Sequence, residues 1–147
     1  MTSDGTLKVK LLRPNAQLPQ RATEGSSGFD LCACIEEADY IVLGRHPVRV
    51  GTGVAIDFPS GYDVQVRPRS GLSAKGVGVT FGTIDSDYRG EVLVTMYLFG
   101  DLEEYRINNG DRIAQLVVMR LGDLPVIQAV ELSATVRGDG GHGSTGQ

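Results

Sequence analysis

The chain has 147 residues, a net charge of −4 and a sequence pI near 5.1. That length fits one domain able to bury a core, and the acidic balance excludes a generic nucleic-acid binder, which presents a basic face. No apolar run approaches membrane-spanning length and the start, Met1-Thr2-Ser3-Asp4-Gly5, lacks the parts of a signal peptide, so a cytoplasmic protein without a membrane partner is expected.

Alternation of apolar and polar residues begins at once. Leu7, Val9 and Leu11 alternate with Lys8 and Lys10, which predicts a strand over 7–11. Further strands are predicted over 29–35, 40–43, 53–58, 62–67, 92–99, 105–107, 113–121 and 126–132. Between them stand turn signals such as Pro14-Asn15, Pro59-Ser60-Gly61 and Asn108-Asn109-Gly110-Asp111. Only 70–75 reads as a helix, and a short one. The 20 glycines, about twice the usual share of ~7%, add turns between short strands. The expected fold is all-β, a compact jelly-roll-like sandwich or distorted barrel with one short helix. One β domain is expected over residues 1–136, followed by a flexible glycine-rich arm over 137–147.

Cys32 and Cys34 are the only cysteines. At i and i+2 of a strand their geometry argues against a disulfide, and His46 and His142 are too remote in sequence to complete a zinc site. Both cysteines read as small buried apolar residues.

Five polar clusters interrupt the apolar pattern. Ser26-Ser27-Gly28-Phe29-Asp30-Leu31 brings an acid into the start of a strand. Arg67-Pro68-Arg69-Ser70-Gly71-Leu72 runs from a strand end into the short helix, with Ser70 at the expected N-cap and Arg69 a bidentate phosphate partner; plain helix capping explains the same residues. Gly82-Thr83-Ile84-Asp85-Ser86-Asp87-Tyr88-Arg89-Gly90-Glu91 is the densest. It reads either as a solvated turn or as a cleft around Ile84 in which Asp85 can act as a general base. Asn109-Gly110-Asp111-Arg112-Ile113-Ala114-Gln115-Leu116 is a turn feeding an apolar strand, with Gln115 its one neutral polar side chain and a backbone hydrogen bond its simplest role. The fifth is the arm itself, Arg137-Gly138-Asp139-Gly140-Gly141-His142-Gly143-Ser144-Thr145-Gly146. It combines an arginine, an imidazole, two hydroxyls and unhindered backbone N–H groups, the parts of a phosphate grip, although chain ends also fray.

In this order and at these distances the five segments resemble the five motifs of the homotrimeric dUTP pyrophosphatases (dUTPases), over essentially the whole chain. The resemblance implies a dUTPase-like β-clip fold and hydrolysis of dUTP to dUMP and pyrophosphate, which limits uracil incorporation into DNA and supplies dUMP for thymidylate synthesis. Asp85 would activate the water that attacks the α-phosphorus. Tyr88 would stack under the deoxyribose and leave no room for a 2′-hydroxyl. A hairpin from 79 to 84, with Gly82, Thr83 and Ile84, would read the uracil edge through its backbone. Arg69, Ser70 and Gly71 would hold the phosphates with Gln115 close by, and Asp30 would orient Mg2+ through water. Arg137, Ser144 and Thr145 would close over the γ-phosphate, beside His142 and Gly143.

Two departures from the family pattern stand out. His142 replaces the phenylalanine that stacks on uracil in many members; imidazole stacks with less area and can carry charge. The segment 76–81 lacks the Asn-x-Pro form of many relatives, which leaves base reading to backbone. The resemblance also implies a homotrimer with sites shared among subunits, and runs such as Leu116-Val117-Val118-Met119 suit burial at such an interface as well as in a monomer core. A dCTP deaminase and a non-catalytic nucleotide sensor share the scaffold; the Asp85-Ser86-Asp87-Tyr88 segment and the Asp85, Arg69 and Arg137 set fit the pyrophosphatase better.

Overall fold

The computed structural model describes residues 5–143 and 146. Among these residues ten strands and one helix follow in chain order: β1 (Lys8–Leu11), β2 (Gly28–Cys32), β3 (Tyr40–Leu43), β4 (Val48–Asp57), β5 (Tyr62–Arg67), α1 (Ser70–Ala74), β6 (Val77–Val79), β7 (Gly82–Ile84), β8 (Glu91–Leu98), β9 (Tyr105–Asn108) and β10 (Arg112–Arg120). They form two four-stranded antiparallel sheets, β1-β4-β8-β6 and β2-β10-β5-β7, and a two-stranded ribbon β3-β9. The inward residues of both sheets share one core, including Leu31, Val54, Val64, Val94, Met96 and Leu116, each at most 1% exposed. The expected all-β sandwich with one short helix is what the chain forms.

The alternating segments became strands because each could present one apolar face to this core. In β5, Val64 and Val66 are buried while Asp63, Gln65 and Arg67 point outward. Where alternation is broken, a local device explains it. The expected strand 53–58 is the second half of the longer β4, whose register against β8 shifts between Gly51 and Ala55. Gly53 sits there at φ +70° with Ala16 and the Cys34 side chain close against it, a position only glycine fills without strain. The two three-residue strands β6 and β7 carry too short a pattern to be legible in sequence. Cys34 is buried as expected, but Cys32 at the end of β2 is only half-buried.

Arg13 and Glu91 clamp this bulge from residues 78 apart in sequence. The guanidinium donates to both carboxylate oxygens at 2.7 Å and to the Cys34 carbonyl at 3.3 Å, while the Gly53 N–H donates to Glu91 at 3.1 Å. The hydrogen bonds from Arg13 hold the Glu91 carboxyl below its ordinary range, against the opposing effect of burial. Breaking a buried pair costs about 3–5 kcal/mol, and the remaining exposure of the two side chains, 17% and 21%, puts this one near the low end. Because the folded pKa of Glu91 lies below the unfolded one, this stabilisation is present above the unfolded value of about 4.3 and is lost as pH falls through the folded value. Urea unfolding of wild type and Glu91→Gln should show a stability gap at pH 7 that narrows below about pH 4; a gap independent of pH would contradict the clamp.

One predicted strand is absent. Residues 126–132 are irregular and unpaired, with a bend at Val130, and Val126, Val130 and Leu132 are 98%, 100% and 89% exposed. A strand exists only by pairing with another, and within one chain no sheet edge reaches this segment. Among the described residues no helix is long and apolar enough to cross a membrane.

Candidate active site

The sequence-predicted residues fall into two clusters on the sheet β2-β10-β5-β7. The first is built around Asp30. Register places Asp30 opposite Gln115 and Gln115 opposite Arg67, so these three side chains share the outward face while Leu31, Leu116 and Val66 face the core. Arg69 Nε lies 3.4 Å from Asp30 Oδ1 and Arg112 Nη1 lies 3.7 Å from Oδ2. Arg69 also donates to the Arg112 carbonyl at 3.1 Å. Gln115 Nε2 donates to the Pro68 carbonyl at 2.9 Å, the backbone bond expected of a strand-interior amide. Gly28 is glycine for a steric reason: a Cβ there would collide with the Gln115 amide.

Ser70 is not the N-cap. The backbone stays extended through Arg69 (φ −100°, ψ 135°), which takes the N-cap position without a side-chain bond, and Ser70 opens the helix. The extension by one residue lets Arg69 lie towards Asp30, and leaves the Ser70 hydroxyl outside any cap. Ser70 and Gly71 are both exposed at this end of the cluster. Arg112 is the residue that sequence reading missed. It stood inside a quoted motif, but alternation gave no signal that its side chain would reach Asp30. Burial pushes the neighbouring Cys32 thiol above its ordinary value, with Asp30 adding to the effect, so it is no ready nucleophile.

The second cluster follows β7. Ile84 is buried as expected, at 9% exposure, and the chain then turns, with Tyr88 N–H donating to the Asp85 carbonyl at 3.0 Å. The Tyr88 hydroxyl donates to the Glu91 carbonyl at 2.9 Å and its ring leans over Gly90, where a Cβ would strike it. Arg89 donates to the Ser86 carbonyl at 2.6 Å and pairs with Asp57 at 2.9 Å. Val66, Thr83, Asp85, Tyr88 and Leu93 line a shallow hollow of about 220 Å³. Asp85 is therefore exposed at the rim of a hollow rather than enclosed in a cleft. Its carbonyl is held by Tyr88, and among the described residues no side chain takes up its carboxylate.

The expected base-reading hairpin over 79–84 is a crossover instead. β6 pairs with β8 in one sheet and β7 with β5 in the other, and Thr80 and Phe81 bridge the sheets. β7 is consequently an edge strand, with one row of backbone groups outside any ladder.

The two clusters do not meet. β7 lies three strand positions from β2, roughly 14 Å at the usual strand spacing, and Asp85 lies beyond the end of β7. In the arm, the Arg137 side chain turns back to donate to the Gly140 carbonyl of its own loop at 2.7 Å. His142 is exposed at φ +49°, with Gly143 beside it. Ser144 and Thr145 lie outside the described residues. A groove of about 520 Å³ lies elsewhere: Phe29, Phe58 and Tyr62 make it apolar, which does not suit a triphosphate.

The chain is thus a β-sandwich that carries an arginine-flanked carboxylate on one edge of a sheet and an unengaged aspartate beside an open strand on the other. Residues 14–146 match the dUTPase family pattern. The chain is 47% identical to the deoxyuridine 5′-triphosphate nucleotidohydrolase of Wolinella succinogenes over 96% of its own length and 95% of the relative's. It is 48% identical to that of a Hydrogenobaculum species over 95% and 97%. Among solved structures, the dUTPase of Staphylococcus bacteriophage 80alpha with dUpNHpp superposes with a TM-score of 0.84 at 30% identity, covering 97% of this chain and 99% of that one. The dUTPase of S. aureus phage phi11, in which a structural Mg(II) ion is described, superposes with a TM-score of 0.75 at 27% identity, over 86% and 97%. The chain belongs to the dUTPase family of hydrolases.

Proposed function

We propose that this hydrolase cleaves dUTP between the α- and β-phosphates, in a homotrimer whose sites are shared between subunits. The observation that carries this reading is the separation of the two clusters on one chain. A water-activating carboxylate must sit within hydrogen-bond reach of the water it serves, so Asp85 serves the Asp30–Arg69 face of a neighbouring copy. The exposed apolar segment 126–132 supports the assembly. It needs a sheet to pair with, and a second copy supplies one. On this reading residues 1–136 are the catalytic β domain and 137–147 the arm that completes a neighbour's site.

Asp85 accepts the proton of the attacking water as its oxygen bonds to the α-phosphorus, and the bond to the bridging oxygen breaks to release pyrophosphate. Arg69, Ser70 and Gly71 hold the phosphate oxygens, with the Gln115 amide, oriented by Pro68, beside them. The free edge of β7, from Gly82 through Thr83 to Ile84, offers N–H and C=O groups to the uracil edge. The Tyr88 ring, fixed by its bond to Glu91, lies under the deoxyribose and rejects a 2′-hydroxyl by contact. Arg137, Ser144 and Thr145 close on the γ-phosphate, with His142 against the base and Gly143 allowing close approach.

The donor set suits Mg2+. Among the described residues no group of three or more His, Cys, Asp or Glu could hold a metal by itself. Asp30 has guanidinium groups near both oxygens, which favours a contact through water over direct ligation. A cation that keeps its waters and draws ligands from substrate phosphates fits such a site. Asp30 would hold such an ion through one of its waters, and the ion would supply neutralisation of the phosphate charge.

A pyrophosphate-release assay with Mg2+ and each of dUTP, UTP, dTTP and dCTP tests the proposal. Turnover of dUTP with little of the other three is expected. Equal hydrolysis of all four would sink the specificity argument, and ammonia released from dCTP would make the chain a deaminase.

A further inference from the structure

We propose that Arg112 is a positioning residue of the phosphate site, delivered to it by a β-bulge at Ile113. This rests on the reading of Asp30 and Arg69 as nucleotide-binding residues. Counting back from the outward Gln115, regular alternation would put Ala114 inward, Ile113 outward and Arg112 inward. That arrangement would aim a guanidinium at the core, where an unpaired charge is costly. The chain avoids it with one extra residue. Ala114 stands opposite Leu31 and Arg112 opposite Cys32, so Ile113 has no partner of its own on β2. Ile113 and Ala114 are consecutive and both 0% exposed. The bulge thereby flips the face on which Arg112 emerges, the re-aiming that bulges beside active sites perform.

The flip has two results. The Arg112 side chain arrives beside Asp30 Oδ2 at 3.7 Å, and its carbonyl accepts the Arg69 guanidinium at 3.1 Å. Arg112 thus touches both the acid and the phosphate arginine, one through its side chain and one through its backbone. Asp30 needs a second cationic neighbour. When a triphosphate draws on Arg69, the carboxylate is left facing added negative charge with its side chain only 19% exposed. Arg112 keeps Asp30 in place through that exchange. It acts through Asp30, with its own guanidinium still 57% exposed.

The test measures affinity for dUpNHpp by calorimetry, with and without Mg2+, and kcat/KM for dUTP, in Arg112→Ala, Arg112→Lys, Asp30→Asn and the Arg112→Ala/Asp30→Asn double variant. Removing an outer partner of this kind lowers affinity or activity by about 10–100-fold, and that loss is expected for Arg112→Ala at unchanged Tm, with part of it recovered in Arg112→Lys. In the Asp30→Asn background the further loss should vanish, because the partner through which Arg112 acts is gone. Full affinity and turnover in Arg112→Ala overturns the proposal, and so do additive losses in the double variant, which would place Arg112 on the phosphates directly. Arg112→Gln, which keeps much of the aliphatic stem, is measured alongside so that a folding defect in the alanine variant does not decide the result. A wild-type chain that binds no dUpNHpp would overturn the underlying reading of the site, an outcome distinct from loss confined to the variants.

Discussion

Asp85→Asn is expected to abolish dUTP turnover while leaving dUpNHpp affinity close to wild type. The carboxylate is placed by backbone that does not depend on its charge. The turn after β7 is closed by the Tyr88 N–H on the Asp85 carbonyl, pinned by Arg89 on the Ser86 carbonyl and anchored through Glu91 to Arg13. Asparagine is nearly isosteric, so the turn should survive and only the proton acceptor is lost. A positioned general base is worth about 10²–10⁴ in rate. Its contribution arises in the transition state, so kcat should fall and substrate binding should not. Rapid-quench measurement of dUMP formation, paired with titration of dUpNHpp, reads both quantities. A variant with wild-type kcat would remove Asp85 from the chemistry, and one that loses binding and turnover together would make it a binding residue instead.

Deleting 138–147 should produce a loss of similar or greater size by a different route. None of the described residues beyond Arg120 belongs to a strand or to the core, and the described part of the arm is a succession of turns. Folding should therefore be indifferent to the deletion, with Tm unchanged and the segment 126–132 still available to a neighbour. Catalysis should not be indifferent. A phosphate-closing arginine contributes about 10³–10⁵ in rate in other phosphoryl-transfer systems, and the Ser144 and Thr145 hydroxyls are removed with the arm. Arg137→Ala separates the two contributions, since it keeps the glycines and hydroxyls. In this structure Arg137 spends its Nε on its own loop, at Gly140; closing on phosphate requires that bond to exchange for a charge-assisted one, which is stronger. A truncated chain that stays fully active, or one that unfolds, would refute the assignment of the arm as a lid.

The central strands were legible because their period is short and local. Val64 and Val66 against Asp63, Gln65 and Arg67 specify both a strand and its buried face without reference to any partner. The residues of the candidate site were legible for another reason: Asp30, Arg69, Asp85 and Gln115 each stand in a run of turn and polar residues that alternation alone does not produce. The failures share a cause as well. Residues 126–132 have a strand's composition, yet 98% exposure at Val126 shows composition without a partner. The segment 79–84 reads as a hairpin locally, but its two halves pair with strands in different sheets. Ser70 lost the cap to Arg69 because the extended backbone ran one residue further than side-chain preference suggests.

By itself, then, the sequence determined the fold class, the family and the identity of the groups available for chemistry, since these follow from local periodicity and from residue types in fixed order. The tertiary structure decided which of those groups meet. The Arg13–Glu91 clamp spans 78 residues, Arg112 reaches Asp30 only because a bulge reverses its side, and Asp85 ends on the far edge of the sheet from Asp30 and its two arginines. Side-chain direction in a sheet changes with a shift of one residue, and strand order depends on pairings between distant segments. Neither quantity is written in any local stretch of the chain.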